Sequence, residues 1–397
     1  MKEIIFIKSK FDISSNPTYL IVGLELIIGV LMGFGAIALG LGGGSWILGG
    51  IAAGALVFYF YRSLYNNQAQ PHRNSRKVGQ ILVGLTIGFS IQNNDLSALS
   101  PQIPIFILLT SFLMLSGGII GYIYSRLEKT DLLTAVLATV PGNIGVMASM
   151  AADYERDTTL VSLVQLIRFT AIILVVPLIA NVSNPHDINV ILSSLTKDFL
   201  ELDLKSIFLI CLLLITTFGV IKVTNKLKVP VASLFCSIIV GLFFNSLLGL
   251  LPFVPQIDLH LPPLFNLVGQ TLLGMTIGEY WGMEPKLGKR TVVYAVVPVL
   301  LTFFAGLFSA GIATFVTHWD WLTCLLVASP GGSPEMILIA LSLNHHIEIV
   351  TAGHLFRLLA INLSLPILVS FVCYLENRFT LSKDSVAAIA CDITPEN

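Results

Sequence analysis

Gly79-Gln80-Ile81-Leu82-Val83-Gly84-Leu85-Thr86-Ile87-Gly88 returns later in the chain as Gly269-Gln270-Thr271-Leu272-Leu273-Gly274-Met275-Thr276-Ile277-Gly278, identical at seven of ten positions. The repetition runs on. Asp131, Thr134, Pro141, Gly142, Met147, Val161, Arg168 and Pro177 are matched by Asp320, Thr323, Pro330, Gly331, Met336, Val350, Arg357 and Pro366 at a constant offset of 189 residues. Chance does not hold one register over that length. The chain is one module written twice, the long-period self-similarity that many secondary transporters show.

Composition says where the module lives. Of 397 residues, 55% are hydrophobic and 11% charged, against roughly 25% charged in a soluble domain. That supply of charge cannot cover a wetted surface, so much of the surface must face hydrocarbon. The net charge of -1 and the lack of a basic cluster argue against a nucleic-acid partner. Cys211, Cys236, Cys324, Cys373 and Cys391 show no CxxC spacing, and four of them sit in or beside apolar runs. They indicate neither a disulfide framework nor a metal, and no cofactor is expected. Ile4 to Ile7, hemmed by Lys2, Lys8 and Lys10, is too polar for a cleavable signal, so the first long apolar run is expected to be a retained span.

Apolar runs at Tyr19 to Leu41, Ser45 to Tyr61, Val78 to Ile91, Ile103 to Ser125, Leu132 to Ala152 and Thr158 to Ala180 are answered by Ser206 to Ile221, Val229 to Leu251, Leu261 to Gly278, Thr291 to Thr317, Trp321 to Leu343 and Ile349 to Leu375. The fold class is therefore an all-α polytopic membrane protein of two homologous six-segment halves, 10 to 12 membrane segments in all. The expected division is residues 1–182 as the first repeat, 183–205 as a polar connector, 206–377 as the second repeat and 378–397 as a polar tail. Positive charge flanks the first half before segment one, between two and three (Arg62, Arg73, Arg76, Lys77) and between four and five (Arg126, Lys129). In the second half it falls between one and two (Lys222, Lys226, Lys228) and between three and four (Lys286, Lys289, Arg290). The alternation is opposite, which predicts inverted repeats in the plasma (inner) membrane with a cytoplasmic N-terminus. Inversion needs an odd number of crossings per half. Either the short glycine-rich third segment or the Pro-Gly-broken fifth must fail to cross.

The chemistry centres on that fifth segment. It is broken at Pro141-Gly142-Asn143 in one half and at Pro330-Gly331-Gly332-Ser333-Pro334-Glu335 in the other. A helix broken at membrane depth frees backbone N–H and C=O groups that are tolerated only against protein or a wet cavity. Matched breaks in two repeats therefore point to a midplane substrate site. After each break comes a stripe at offsets of four, eight and eleven: Asp157, Val161, Gln165 and Arg168, then His346, Val350, His354 and Arg357. Arg168 and Arg357 are costly in an apolar run unless paired, snorkelled to the interface or facing water. Their forked guanidinium groups suit a carboxylate or phosphate. Glu335 opens the helix after the second break, where it could bind a cation, relay a proton or pair with Arg357. His346 and His354 are candidates for a proton-responsive pair. Glu25, an acid in the first span, is expected to face the interior with a structural partner.

The repeated Pro-Gly-Gly-x-x-Glu-Met, the Ala four residues after the Met, and Val-x3-Gln/His-x2-Arg resemble the AbrB-duplication membrane protein family, also labelled AbrB family transcriptional regulator and ammonia monooxygenase. The likeness spans Tyr19 to Leu375. Pro330, Gly331, Gly332, Glu335, Met336, Ala340, Val350 and Arg357 fit the family pattern in the second half, with His346 and His354 standing where Asp and Gln are usual. Pro141, Gly142, Met147, Asp157, Val161, Gln165 and Arg168 fit in the first, with Asn143 in place of a Gly and Val146 in place of the acid. The resemblance implies a place among the inverted-repeat folds of bile-acid symporters and sodium/proton antiporters.

The expected function is a secondary transporter for a small anionic or zwitterionic solute coupled to Na+ or H+, working in the bilayer, with homo-oligomers allowed. The rival is a membrane-embedded protein that acts indirectly on gene expression, because polar stretches of about 25 residues leave no room for a DNA-binding module. An enzyme is not expected. His345-His346 with Glu348 forms a loop dyad at best, far from an oxidative metal set.

Overall fold

The computed structural model describes residues 17–39, 44–65, 69–92, 94, 96–179, 203–226, 232–249, 259–283, 288–343 and 345–392. Lys2, Lys8, Lys10, Lys228, Lys286 and most of the 183–205 connector lie outside them. The described residues form fourteen α-helices and no strand. The first half contributes α1 (Pro17–Ala38), α2 (Ser45–Leu64), α3 (Arg73–Ile91), α4 (Ile103–Glu128), α5 (Leu132–Thr139), α6 (Ile144–Asp153) and α7 (Thr158–Ile179). The second contributes α8 (Leu204–Lys226), α9 (Ala232–Gly249), α10 (Pro263–Gly282), α11 (Lys289–Val316), α12 (Trp321–Ala328), α13 (Ser333–Leu343) and α14 (Ile347–Asp392), which runs on through the tail.

Eight helices (α1, α2, α4, α7, α8, α9, α11 and α14) are long and apolar enough to cross a bilayer. Their exposed faces are stripes of large apolar residues at helical spacing: Leu24, Ile27 and Leu31 on α1, Phe304, Phe308 and Phe315 on α11, Leu363, Ile367 and Phe371 on α14. Such stripes would be unstable in water and are at home against lipid. Helices α3 and α10 also reach spanning length, with 19 and 20 residues. They are less apolar because they are interior: α10 buries nearly every residue from Leu267 to Gly282. The third segment, which looked short as Val78 to Ile91, gains its first turn and more from the polar residues Arg73 to Lys77.

Packing sorts the helices into two bundles, each drawing on both halves. In one, α2 lies along α10 and α3 along α9, with α1 and α8 outside; in the other, α4 packs on α11 and encloses α5, α6, α7, α12, α13 and α14. Exchanging each helix with its repeat counterpart reproduces the arrangement, since α2 on α10 becomes α9 on α3 and α4 on α5 becomes α11 on α12. The α2–α10 contact is close enough that a Cβ added at Gly54 would collide with the Met275 backbone, and one at Gly278 with the Ile51 carbonyl. Small residues that let backbones meet are the usual glue of membrane helices, where lipid supplies no hydrophobic drive.

The fifth segment is the one that does not cross. At its base, Arg156, just after α6, is 3.5 Å from Asp131, just before α5. The segment therefore leaves on the side it entered, as a re-entrant hairpin. Its counterpart does the same: His345 and His346, after α13, lie 3.6 and 4.0 Å from Asp320, before α12. The two hairpins enter from opposite faces. Arg156 and the Leu132 amide bond Glu376 at 2.7 and 2.8 Å, while His346 precedes the other end of the same helix. Ile347 to Glu376 is 30 residues, ~45 Å of helix. Asp131 and Asp320 thus lie on opposite sides, and the halves are inverted.

Candidate functional site at the hairpin tips

Both hairpins are built identically at their bases. Asp131 accepts from the Thr134 amide at 2.7 Å and its hydroxyl at 2.6 Å, and Asp320 from the Thr323 amide at 3.0 Å and its hydroxyl at 2.5 Å. These caps satisfy amides that open helices of only eight residues. Burial alone pushes the Asp320 carboxyl up, but the Thr323 hydroxyl and amide, then His345 and His346, hold it below the usual carboxylate value.

At the tips, α5 and α12 stop with their last carbonyls at membrane depth, and the predicted stripe residues cap them. Gln165 Nε2 donates to the carbonyls of Leu137 (2.8 Å) and Val140 (3.1 Å). Arg168 donates to those of Thr139 (3.0 Å) and Val140 (3.2 Å), and to Gln165 Oε1 (2.6 Å). In the second copy His354 Nε2 reaches the Leu326 carbonyl at 2.9 Å, Arg357 reaches that of Val327 at 3.4 Å, and Arg357 meets His354 Nδ1 at 2.7 Å. A guanidinium only donates, so His354 Nδ1 accepts, Nε2 carries the hydrogen and the ring is neutral. Both arginines are buried, at 3% and 5% exposure, and neither snorkels. Cations at the C-terminal ends of half-helices are also favoured by the negative end of the local dipole.

The tips converge on one cavity between the two bundles. Pro141, Gly142 and Asn143 line it from the first hairpin, Gly331 to Glu335 from the second, and Arg357 and Asn362 from α14. Arg76 and Gln80 on α3 and Thr276 on α10 close it from the other bundle. Asn143 accepts from the Gly145 amide at 3.0 Å and starts α6, and α13 starts at Ser333, so two helix N-termini open towards the cavity. Glu335 is 4% exposed and its Oε2 has no donor. A Cβ at Gly332 would collide with that oxygen and with Phe169, which explains the second glycine of the motif. Arg76, Gln80, Asn143 and Thr276 also line a vestibule with His72, Arg73 and Lys77, so the cavity communicates with the face that carries Arg73 and Arg156.

Not every candidate residue gathers there. Pro330 forms the break without lining the cavity, and Gln165, Arg168 and His354 sit behind it as caps. Asp157 caps α7 through the Thr159 and Leu160 amides at 2.9 Å. His346, with a half-exposed side chain, belongs to the opposite face with Asp320 and Glu348. The two histidines therefore form no pair. Arg76, Gln80, Phe169, Thr276 and Asn362 are lining residues that sequence reasoning did not select. Gln80 stood in the decamer that revealed the duplication.

The family model described as transition state regulatory protein AbrB matches residues 46–373. The chain belongs to the AbrB family. Among AbrB relatives it is 25% identical over 331 residues to "Uncharacterized protein YhjN" of Bacillus subtilis (strain 168), covering 81% of this chain and 84% of that one. It is 26% identical over 361 residues to "Putative regulator AbrB" of Escherichia coli (strain K12), covering 88% and 96%. No solved structure matches significantly. The AbrB module thus spans both repeats and both hairpins.

Proposed function

We propose that this AbrB-family protein is a secondary transporter for a small anionic or zwitterionic solute, bound at the hairpin tips and coupled to a cation or proton through Glu335. The observation that carries the reading is that two helix N-termini and Arg357 meet at one cavity between two bundles. Helix N-termini favour anions, and Arg357 has donors beyond those spent on Val327 and His354. The basic vestibule of Arg73, Arg76 and Lys77 would concentrate anions at the entrance. Glu335 supplies a buried carboxylate for an ammonium, Na+ or H+. Rocking of one bundle on the other gives alternating access to a site held between them.

Arg62, Arg73, Arg126, Arg156 and Lys289 mark one face, and the positive-inside preference supports reading it, and the side from which α1 starts, as the cytoplasmic side of an inner membrane. No catalytic or DNA-binding role is assigned, and the regulatory names of relatives are met by an indirect effect of transport. The test is binding or uptake in proteoliposomes with small carboxylates, phosphate and amino acids across a pH and Na+ series. Arg357→Ala abolishes solute binding and Glu335→Gln abolishes the ion or pH dependence while solute binding survives. Normal transport by Arg357→Ala overturns the anion assignment.

A further inference from the structure

Away from the cavity, three ligating side chains from distant parts of the chain meet near the vestibule mouth. Glu25 comes from α1, Glu279 from the end of α10 and His72 from the residue before α3, and their ligand atoms all lie within 4.8 Å of one another. Glu25 and Glu279 are fully buried. Glu279 accepts from the His72 amide at 2.6 Å and meets His72 Nδ1 at 2.5 Å. Neither oxygen of Glu25 has a donor, and the group it faces is the second carboxylate. Among the described residues no Lys or Arg pairs with either acid.

We infer that Glu25, His72 and Glu279 form a binding site for one divalent transition-metal ion, Zn2+ or Mn2+ in class. Two carboxylates facing one another in a low-dielectric interior need a positive charge between them. A shared proton between the acids leaves one negative charge, which is balanced only if His72 is also protonated in its contact with Glu279. A divalent ion neutralises both acids and uses the Nδ1 lone pair. Two carboxylates and one imidazole suit Zn2+ or Mn2+ better than Ca2+ or Mg2+, which prefer all-oxygen shells. To hold one ion at ~2.0–2.2 Å the His72–Glu279 contact opens and the three side chains rotate about it, over the few ångströms that now separate their ligand atoms. His72 lines the vestibule, which provides a route for the ion. The bound ion fastens α1, the start of α3 and the end of α10 together, bracing the wall of the entrance. The site stands independently of what the protein transports.

The test uses purified full-length protein, stripped with chelator and then titrated with ZnCl2 or MnCl2. Elemental analysis gives one ion per chain, and calorimetry and thermal melting give saturable binding with a raised melting temperature. Even an outer-shell change typically weakens a metal site ~10–100-fold, so Glu279→Gln and His72→Ala each lower affinity at least roughly tenfold. Glu25→Gln separates the alternatives: its amide can donate to Glu279, so the chain stays folded, as gel filtration reports, but binds metal at least roughly tenfold more weakly. Sub-stoichiometric metal, or titrations identical in wild type and Glu25→Gln, would overturn the site in favour of a shared proton.

Discussion

Arg168→Met tests whether the first intramembrane arginine is a helix cap. The substitution keeps the unbranched apolar stem and deletes the fork. It takes donors from the Thr139 carbonyl at 3.0 Å and Gln165 Oε1 at 2.6 Å, while Val140 keeps its bond from Gln165 at 3.1 Å. A buried acceptor left unmatched costs about 1–3 kcal/mol, so two cost roughly 2–6 kcal/mol. Relief of the buried charge offsets part of this, leaving a net loss of about 2–4 kcal/mol. In detergent the variant melts several degrees below wild type by the fraction surviving heating and gel filtration, and Arg168→Lys falls between, because one ammonium reaches fewer acceptors than a fork. If Arg168→Met melts within about a degree of wild type, the guanidinium is not holding the end of α5 and the capping argument fails.

In a background with the native cysteines replaced, Asp153→Cys and His346→Cys are modified by an impermeant maleimide from opposite sides of the membrane; modification from one side refutes the inversion. Asp320→Ala removes the cap of α12, at about 0.5–2 kcal/mol. Because its folded pKa is depressed, that difference is full above the unfolded carboxylate pKa and is lost only as pH falls through the lower folded value. Melting curves across the acid range report it, and an unchanged gap at strongly acid pH contradicts it. Gly278→Leu forces α2 from α10 and should give aggregated rather than monodisperse protein; a normal elution profile would show that the close approach is dispensable.

The duplication, the membrane class and the matched breaks were legible because each is written in adjacent residues. The inversion was legible in loop charges, through Arg62 to Lys77 set against Lys222 and Lys226. The choice between third and fifth segment was not, because it depends on Asp131 meeting Arg156 and Asp320 meeting His345 across whole hairpins. Hydropathy misjudged α3 because an interior helix is excused from being apolar. The stripe of Gln165 and Arg168 was legible in its spacing, but the sequence left its direction open between interface and interior, and its partners proved to be main-chain carbonyls, which no side-chain pattern announces. Glu25 and Glu279, 254 residues apart, carried no shared motif, so their meeting was visible only in three dimensions.

The interleaving of the halves fixes an order of events during synthesis. The hairpin of α5 and α6 emerges early, yet its base is tied to Glu376, near the end of the last membrane helix. Neither bundle is complete from the first 182 residues, since α2 and α3 await α10 and α9. The ribosome therefore delivers the first half as an unfinished object, whose hairpin and small-residue faces stay open until the second half arrives. A chain cut in the connector should recover its shape only when both pieces are made in the same membrane.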